Sequence, residues 1–374
     1  MTLHQKNDSN TSSSIPIYRL LIILGAFIAF LIALELLSFV FESLGEEYVQ
    51  GLLQATHNPF VAFFIGLLAA AILQSSSTIT SIMVAIIAGN TLMSFTEAIP
   101  IIMGANIGTT LTSTLVSLGY IDKPNLFRRG VTVASIHGFF NIFTAFALLP
   151  LEYSTQLLSR LSHWTAKIFL KIDFLEKSFS DNLMISQFIL EWIDTTNVFH
   201  IFLIGAVAFI LLFLSLKIIS EQSKTWLSIS ENGFFNFTLF ANRQRSFLFG
   251  FLLTSLIQSS SITSSIIVPL YANGRVKLTK CFFYIMGLNI GTTLTAFIAA
   301  FSVGSPFALT LAIAHILFNL IGVALFLIPF VFKLGMWYGK KIGILVDRNR
   351  SFIFLYLITL FFLIPFLLIL SSQT

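Results

Sequence analysis

Apolar residues fall in long blocks along this chain. Seven of the blocks, at about 18–41, 95–118, 130–151, 198–219, 279–301, 307–331 and 352–371, are each long enough for a helix to cross a bilayer. Two further apolar regions are interrupted. Phe60–Leu73 and Ile79–Gly89 flank Gln74-Ser75-Ser76-Ser77, and Phe247–Ile257 and Ile262–Ala272 flank Gln258-Ser259-Ser260-Ser261. Each arm has about 11–14 residues and cannot cross alone. Two short arms around a polar break predict a re-entrant hairpin or a broken helix. Non-helical backbone survives at membrane depth only where protein or water satisfies it, so the break is a candidate site on physical grounds.

The breaks belong to an internal repeat. Gln74-Ser-Ser-Ser is followed by Met103-Gly-Ala-Asn106-Ile-Gly-Thr109-Thr110 and then by His137-Gly-Phe-Phe-Asn141. Gln258-Ser-Ser-Ser is followed by Met286-Gly-Leu-Asn289-Ile-Gly-Thr292-Thr293 and then by His315-Ile-Leu-Phe-Asn319. Three polar elements recurring in order inside apolar sequence mark a duplication. The expected organisation is a tail and first transmembrane helix (1–57), a first repeat of hairpin and two spans (58–153), and an external amphipathic segment with a linking span (154–243). A second repeat (244–333) and a C-terminal linker with a last span (334–374) complete it. The expected fold is therefore an all-α polytopic membrane protein.

Composition and charge sharpen this picture. The chain is 56% hydrophobic and 10% charged, against about 25% charged for soluble domains, and its mean hydropathy is +0.91. One large soluble core is excluded, because too much apolar surface would meet water. The net charge of +5 is spread singly between apolar blocks, so no nucleic-acid-binding face is expected. Cys281 stands alone, which excludes an intramolecular disulfide. If each hairpin enters and leaves on one side, 17 of the 21 basic residues share one side, leaving Arg160, Lys167, Lys171 and Lys177 on the other. The basic side is expected to be cytoplasmic, with the N-terminus there and the repeats inverted. The first hairpin would open outward and the second inward. The 152–197 segment, with Trp164 and Trp192, is expected either to lie at the interface or to form a plain external loop.

Inverted repeats with broken helices characterise secondary transporters. The spans hold few ionisable residues: Glu35, His137 and His315. The repeats supply hydroxyls, carboxamides and backbone freed by glycine. A Ser-Ser-Ser run at the head of a hairpin arm offers N–H and O–H donors to an anion, and carboxamide and hydroxyl oxygens suit Na⁺. Burying an oxyanion without a fixed cation is very costly, so a co-bound cation is expected. His137 with Asn141, and His315 with Asn319, lie four apart and read first as helix–helix contacts. No paired carboxylates, metal-ligand cluster or activated nucleophile points to an enzyme.

At these residues the chain resembles the type II sodium-dependent phosphate cotransporters, solute carrier family 34 and its bacterial relatives. The resemblance rests on QSSSTITSIMVAIIAGN, IPIIMGANIGTTLTSTLVSL, FRRGVTVASIHGFFN, QSSSITSSIIVPL and GLNIGTTLTAFIAA, and covers roughly 58–153 and 244–331. It implies sodium-driven uptake of inorganic phosphate by an elevator-like or rocking movement, with no cofactor and with Na⁺ as the co-transported ion. Carried over by position, Gln74, Ser75, Ser76, Ser77, Gln258, Ser259, Ser260 and Ser261 would meet phosphate. Gln74, Asn106, Thr109, Thr110, Gln258, Asn289, Thr292 and Thr293 would meet sodium. Electrogenic animal members have Ala-x-Ala-x-x-x-Asp where this chain has Thr132-Val133-Ala134-Ser135-Ile136-His137-Gly138. Gly138 offers no carboxylate, so one sodium fewer and an electroneutral cycle are implied. The single cysteine, and Asn-x-Ser/Thr matches at Asn10, Asn236 and Asn349 on the expected cytoplasmic side, point to a bacterial member in an inner membrane. A symporter for sulfate or arsenate, a proton-coupled one and an uncoupled anion channel stay open, as does a homodimer.

Overall fold

A computed structural model describes residues 17–43, 56–89, 93–171, 198–229 and 239–371, and the regular structure among them is helical. The tail 1–16, Trp192, Asn10 and Asn236 lie outside the described residues. The chain begins with α1 (Ile17–Ser43). The first hairpin is α2 (Pro59–Leu73) and α3 (Ser76–Gly89). It is followed by α4 (Phe95–Gly108) and α5 (Thr110–Leu118), joined through Thr109, then by α6 (Pro124–Thr155), α7 (Leu157–Phe169) and α8 (Val198–Ile229). The second hairpin is α9 (Arg243–Ile257) and α10 (Ser260–Ala272). After it come α11 (Leu278–Val303), α12 (Pro306–Leu327) and α13 (Pro329–Arg348). The last span is α14 (Phe352–Ile358), a π turn (Thr359–Leu363) and α15 (Ile364–Ser371).

Seven helical stretches are long and apolar enough to cross a membrane: Tyr18–Ser43, Glu97–Leu118, Pro124–Thr155, Phe199–Ile219, Leu278–Val303, Pro306–Leu327 and Phe352–Ser371. They coincide with the seven expected blocks. This is a multi-pass membrane protein. The four hairpin arms have 13 to 15 residues, which is about 20–22 Å of helix against about 30 Å of hydrocarbon.

Local chemistry sets the helix starts. Asn58 accepts from the Phe60 N–H at 3.0 Å, Asn242 from the Arg245 N–H at 2.8 Å, and Ser305 from the Ala308 N–H at 3.4 Å. Proline occupies the first turn of α2, α6, α12 and α13, where no N–H is needed. The π turn precedes Pro365, whose missing N–H disrupts the regular ladder of the last span.

Glycine sets how closely helices approach. α2 packs on α4, and α9 on α11. An added Cβ at Gly66 would overlap the Ile101 carbonyl, and one at Gly104 the Phe63 carbonyl. In the second repeat Gly250 meets the Tyr284 carbonyl and Gly287 that of Phe247. Backbones in direct contact leave no room for a side chain, as in small-residue membrane interfaces. The motif glycines therefore act through close packing, not by freeing backbone as their sequence context suggests.

The second arms go elsewhere. α3 packs against α11 and α12, and α10 against α5 and α6, so each repeat inserts one arm among the spans of the other. The ring of Phe60 sits 5.8 Å from that of Tyr153, whereas the Arg129 side chain donates to the Tyr271 carbonyl at 3.0 Å. Tyr153 and Arg129 are about 36 Å apart along α6. The two hairpins thus open at opposite ends of this helix.

Two segments acquire definite structure. α7, carrying Trp164, is an amphipathic helix with Leu158, Ser162 and Ala166 buried and Arg160, Trp164 and Lys167 exposed. Its first amides, of Leu158 and Ser159, donate to the buried Glu152 carboxylate. Residues 334–351, expected as a linker, fall largely in α13. Gly335, Gly339 and Gly343 recur every fourth residue there, and an added Cβ at Gly339 or Gly343 would meet Ile136 or Thr132 of α6.

Candidate functional site

The two breaks have the same backbone. Gln74 ends α2 with φ 51° and Gln258 ends α9 with φ 54°, the left-handed region that a side chain enters at a cost of about 1–3 kcal/mol. That turn reverses direction within one residue and lets a new helix start at once. Ser75 caps α3 by accepting from the Thr78 N–H at 3.2 Å. Ser259 caps α10 by accepting from the Ile262 N–H at 3.3 Å. Ser76 and Ser260 are then the first residues of their helices.

The breaks cross each other. The Ser77 hydroxyl donates to the Gln258 carbonyl at 3.2 Å, and the Ser261 hydroxyl to the Gln74 carbonyl at 2.5 Å. Between these reciprocal bridges the hydroxyls of Ser76 and Ser260 lie 3.5 Å apart. Thr112 of α5 adds a 3.4 Å contact to Ser261. The residues from Gln74 to Ser77 and from Gln258 to Ser261 therefore meet at one point, with Ser76 and Ser260 buried in it. The N-termini of α3 and α10 converge there, and so do their positive dipole ends.

The Asn and Thr residues form a buried layer on the spans. Asn106 and Asn289 donate to the carbonyls of Ile102 and Ile285, each at 2.8 Å. The Thr109 and Thr110 hydroxyls donate back to carbonyls of α4, at Ala105 and Ile107, and those of Thr292 and Thr293 donate to carbonyls of their own helix, at Leu288 and Ile290. All six residues are buried, and their oxygens keep lone pairs beyond these bonds. The Asn106 carboxamide also meets His315 Nε2 at 3.1 Å, joining the repeats. The symmetric pair, Asn289 and His137, has no such bond among the described contacts. An added Cβ at Gly138 would lie 3.4 Å from the Tyr356 hydroxyl and 3.6 Å from that of Thr110, so Gly138 faces hydroxyls. Gln258 Oε1, Asn141 Oδ1, Asn319 Oδ1 and Thr295 Oγ1 are buried acceptors without a partner.

Comparison with known proteins bears on this arrangement. The model of the Na⁺/Pi-cotransporter family matches residues 29–176 and 211–338. The chain belongs to this family. Sodium-dependent phosphate transport protein 2B of Homo sapiens is 29% identical over 93% of this chain and 64% of its own length. Protein 2A of Ovis aries is 27% identical, over 90% and 65%, and protein 2C of Rattus norvegicus is 28% identical, over 72% and 58%. The chain thus spans about 64% of the length of the first of these relatives. No solved structure matches. The two blocks matched by the Na⁺/Pi-cotransporter family contain the two hairpins and their crossing.

In this family member the crossing offers donors and acceptors together. Hydroxyls and helix N-termini suit an oxyanion, and unpaired buried oxygens such as Gln258 Oε1 suit a hard monovalent cation. Among the described residues no group of three or more His, Cys, Asp or Glu could hold a metal ion. Asn141 and Asn319, read from the sequence first as helix–helix contacts, prove to be orphan acceptors; Thr295, Ser81 and Ser135, whose hydroxyls are also buried without partners, were not singled out. For Asn141 and Asn319 the signal was present, since they end the third repeated element. Ser81, Ser135 and Thr295 carry no such mark.

Proposed function

We propose that the chain is a secondary active transporter that brings inorganic phosphate into the cell by symport with sodium, moving little or no net charge. The observation that supports this most is the crossing itself. Two helix N-termini aim at the paired hydroxyls of Ser76 and Ser260, beside an unpaired Gln258 oxygen. An oxyanion bound there requires a cation to neutralise it, and a sodium ion entering with the phosphate fills that need. Ser76 and Ser260 would touch phosphate most directly. Ser75 and Ser259 shape the helix starts, and Ser77 and Ser261 hold the breaks together. Gln74, Gln258 and the Asn106–Thr110 and Asn289–Thr293 layers would supply oxygen ligands to sodium. The names of the relatives, sodium-dependent phosphate transport proteins, agree with this reading. Gly138, where a carboxylate would add a sodium site, supports an electroneutral cycle.

The basic end of the bundle would face the cytoplasm of a bacterial-type cell, with the N-terminus there, the first hairpin opening outward and the second inward. Uptake of labelled phosphate into proteoliposomes tests the whole reading. Flux driven by an inward sodium gradient is expected. Sodium-independent downhill flux would make the protein a channel. Transport of sulfate but not phosphate would replace the substrate.

A further inference from the structure

The two repeats carry opposite charge where their hairpins open. Ser94 and Glu97 start α4, and the Glu97 carboxylate accepts from the Ser94 N–H at 2.9 Å and meets His57 at 2.6 Å. Counting back from Asn106 and Asn289, the equivalent residues at the head of α11 are Lys277 and Lys280. No acid lies in the first turn of α9 or α11. Arg243, Lys277 and Lys280 have no carboxylate partner among the described residues. These cations also face the positive ends of two helices, which raises their energy. The first repeat supplies its own anion at this position; the second does not.

These residues line a cleft of about 560 Å³ between the heads of α9 and α11, together with Asn242, Gln244 and Thr279. That volume falls within the range of small-ligand sites. The Arg243 guanidinium lies over the Phe283 ring at 5.7 Å. Below Gln244, the residues Leu248, Leu252 and Leu256 continue along one face of α9 and are 51%, 48% and 61% exposed. In a multi-pass membrane protein such a leucine stripe faces acyl chains, and the cleft at its end lies at headgroup depth.

We infer that this cleft binds the phosphodiester of an acidic membrane lipid. Arg243, Lys277 and Lys280 pair with the phosphate oxygens, and an acyl chain lies along Leu248, Leu252 and Leu256. A lipid can engage the cleft and the stripe together, whereas a free anion touches the cleft alone. Basic pockets between spans at the cytoplasmic face suit such headgroups. The site is separate from the crossing, since Arg243 and Gln258 are about 22 Å apart along α9, and it does not depend on what is transported.

The test is lipid binding to the purified full chain in detergent, read by native mass spectrometry with phosphatidylglycerol, phosphatidylcholine and inorganic phosphate as probes. Phosphatidylglycerol should bind in preference to phosphatidylcholine. K277Q/K280Q should weaken it by about ten- to thirty-fold, and R243Q by less. K340Q/K341Q, which removes the same charge from α13, should leave it unchanged. L248S/L252S should weaken lipid binding with every cation in place. Equal loss in both lysine pairs would reduce the effect to diffuse surface charge and overturn the site. Unaltered binding in K277Q/K280Q would do the same. Inorganic phosphate binding that K277Q/K280Q removes and L248S/L252S leaves unchanged would place a free anion in the cleft instead of the lipid.

Discussion

Ser76 and Ser77 are neighbours in sequence, yet the crossing gives their hydroxyls different work. Ser77 donates across the repeats to the Gln258 carbonyl, while Ser76 meets only Ser260, at a marginal 3.5 Å. Ser77→Ala removes one buried bridge and leaves a half-buried carbonyl short of a donor, a loss of about 1–2 kcal/mol of stability. Ser76→Ala removes no strong contact, so its stability should stay within about 0.5 kcal/mol. If Ser76 donates to phosphate, its loss forfeits a hydrogen bond to a charged group, about 1.5–3 kcal/mol. That corresponds to a rise of about 10- to 150-fold in the KM for phosphate. The assays are denaturant unfolding of purified protein and sodium-driven uptake into proteoliposomes. Ser77→Thr, which keeps the hydroxyl, should restore most of the stability. A Ser76→Ala protein with an unaltered KM would refute the reasoning, as would a Ser77→Ala protein of full stability. The Ser260 and Ser261 variants should divide in the same way. The smaller stability loss falls at Ser261, because its partner carbonyl belongs to the exposed Gln74.

Three further outcomes are expected. Gly104→Ala and Gly287→Ala should each cost about 1–3 kcal/mol of stability by pushing apart helices whose backbones touch. Gly25→Ala, with open space around its Cβ, should be neutral or slightly stabilising in the same denaturant-unfolding assay. Wild-type protein should give no phosphate-induced current under voltage clamp. Gly138→Asp should fold, since its Cβ has ordinary contact distances to Tyr356 and Thr110, and should give a current if those hydroxyls complete a sodium shell. A robust wild-type current would contradict the electroneutral reading. Glu97→Ala removes both the cap of α4 and the partner of His57 and should cost about 1–2 kcal/mol. His57→Ala should cost less, because the imidazole is 62% exposed.

The spans were legible because an apolar run of sufficient length has few alternatives to a membrane helix. The hairpins were legible because Gln-Ser-Ser-Ser interrupts such runs where neither arm could cross. α13 was not. Its lysines and its glycines at 335, 339 and 343 read as a linker, and only tertiary packing gives those glycines a reason: α6 approaches Gly339 and Gly343, and the Phe282 and Phe326 rings approach Gly335. The Ser77 and Ser261 bridges left no local trace either. Each joins a serine to a main-chain carbonyl of the other repeat, and a carbonyl has no residue type. The left-handed glutamines were equally hidden, since glycine or asparagine is the usual occupant of that backbone region.

Because each hairpin lodges its second arm among the spans of the opposite half, neither half is a self-sufficient unit. Ser76 meets Ser260, a residue 184 positions later in the chain. At ordinary rates of synthesis that separation is about 10–40 s. Throughout that interval the newly made first hairpin has its polar turn in place but no carbonyl to receive the Ser77 proton. The ribosome-bound protein must therefore shelter a half-built crossing, by water or by the insertion machinery, until the second hairpin arrives to close it.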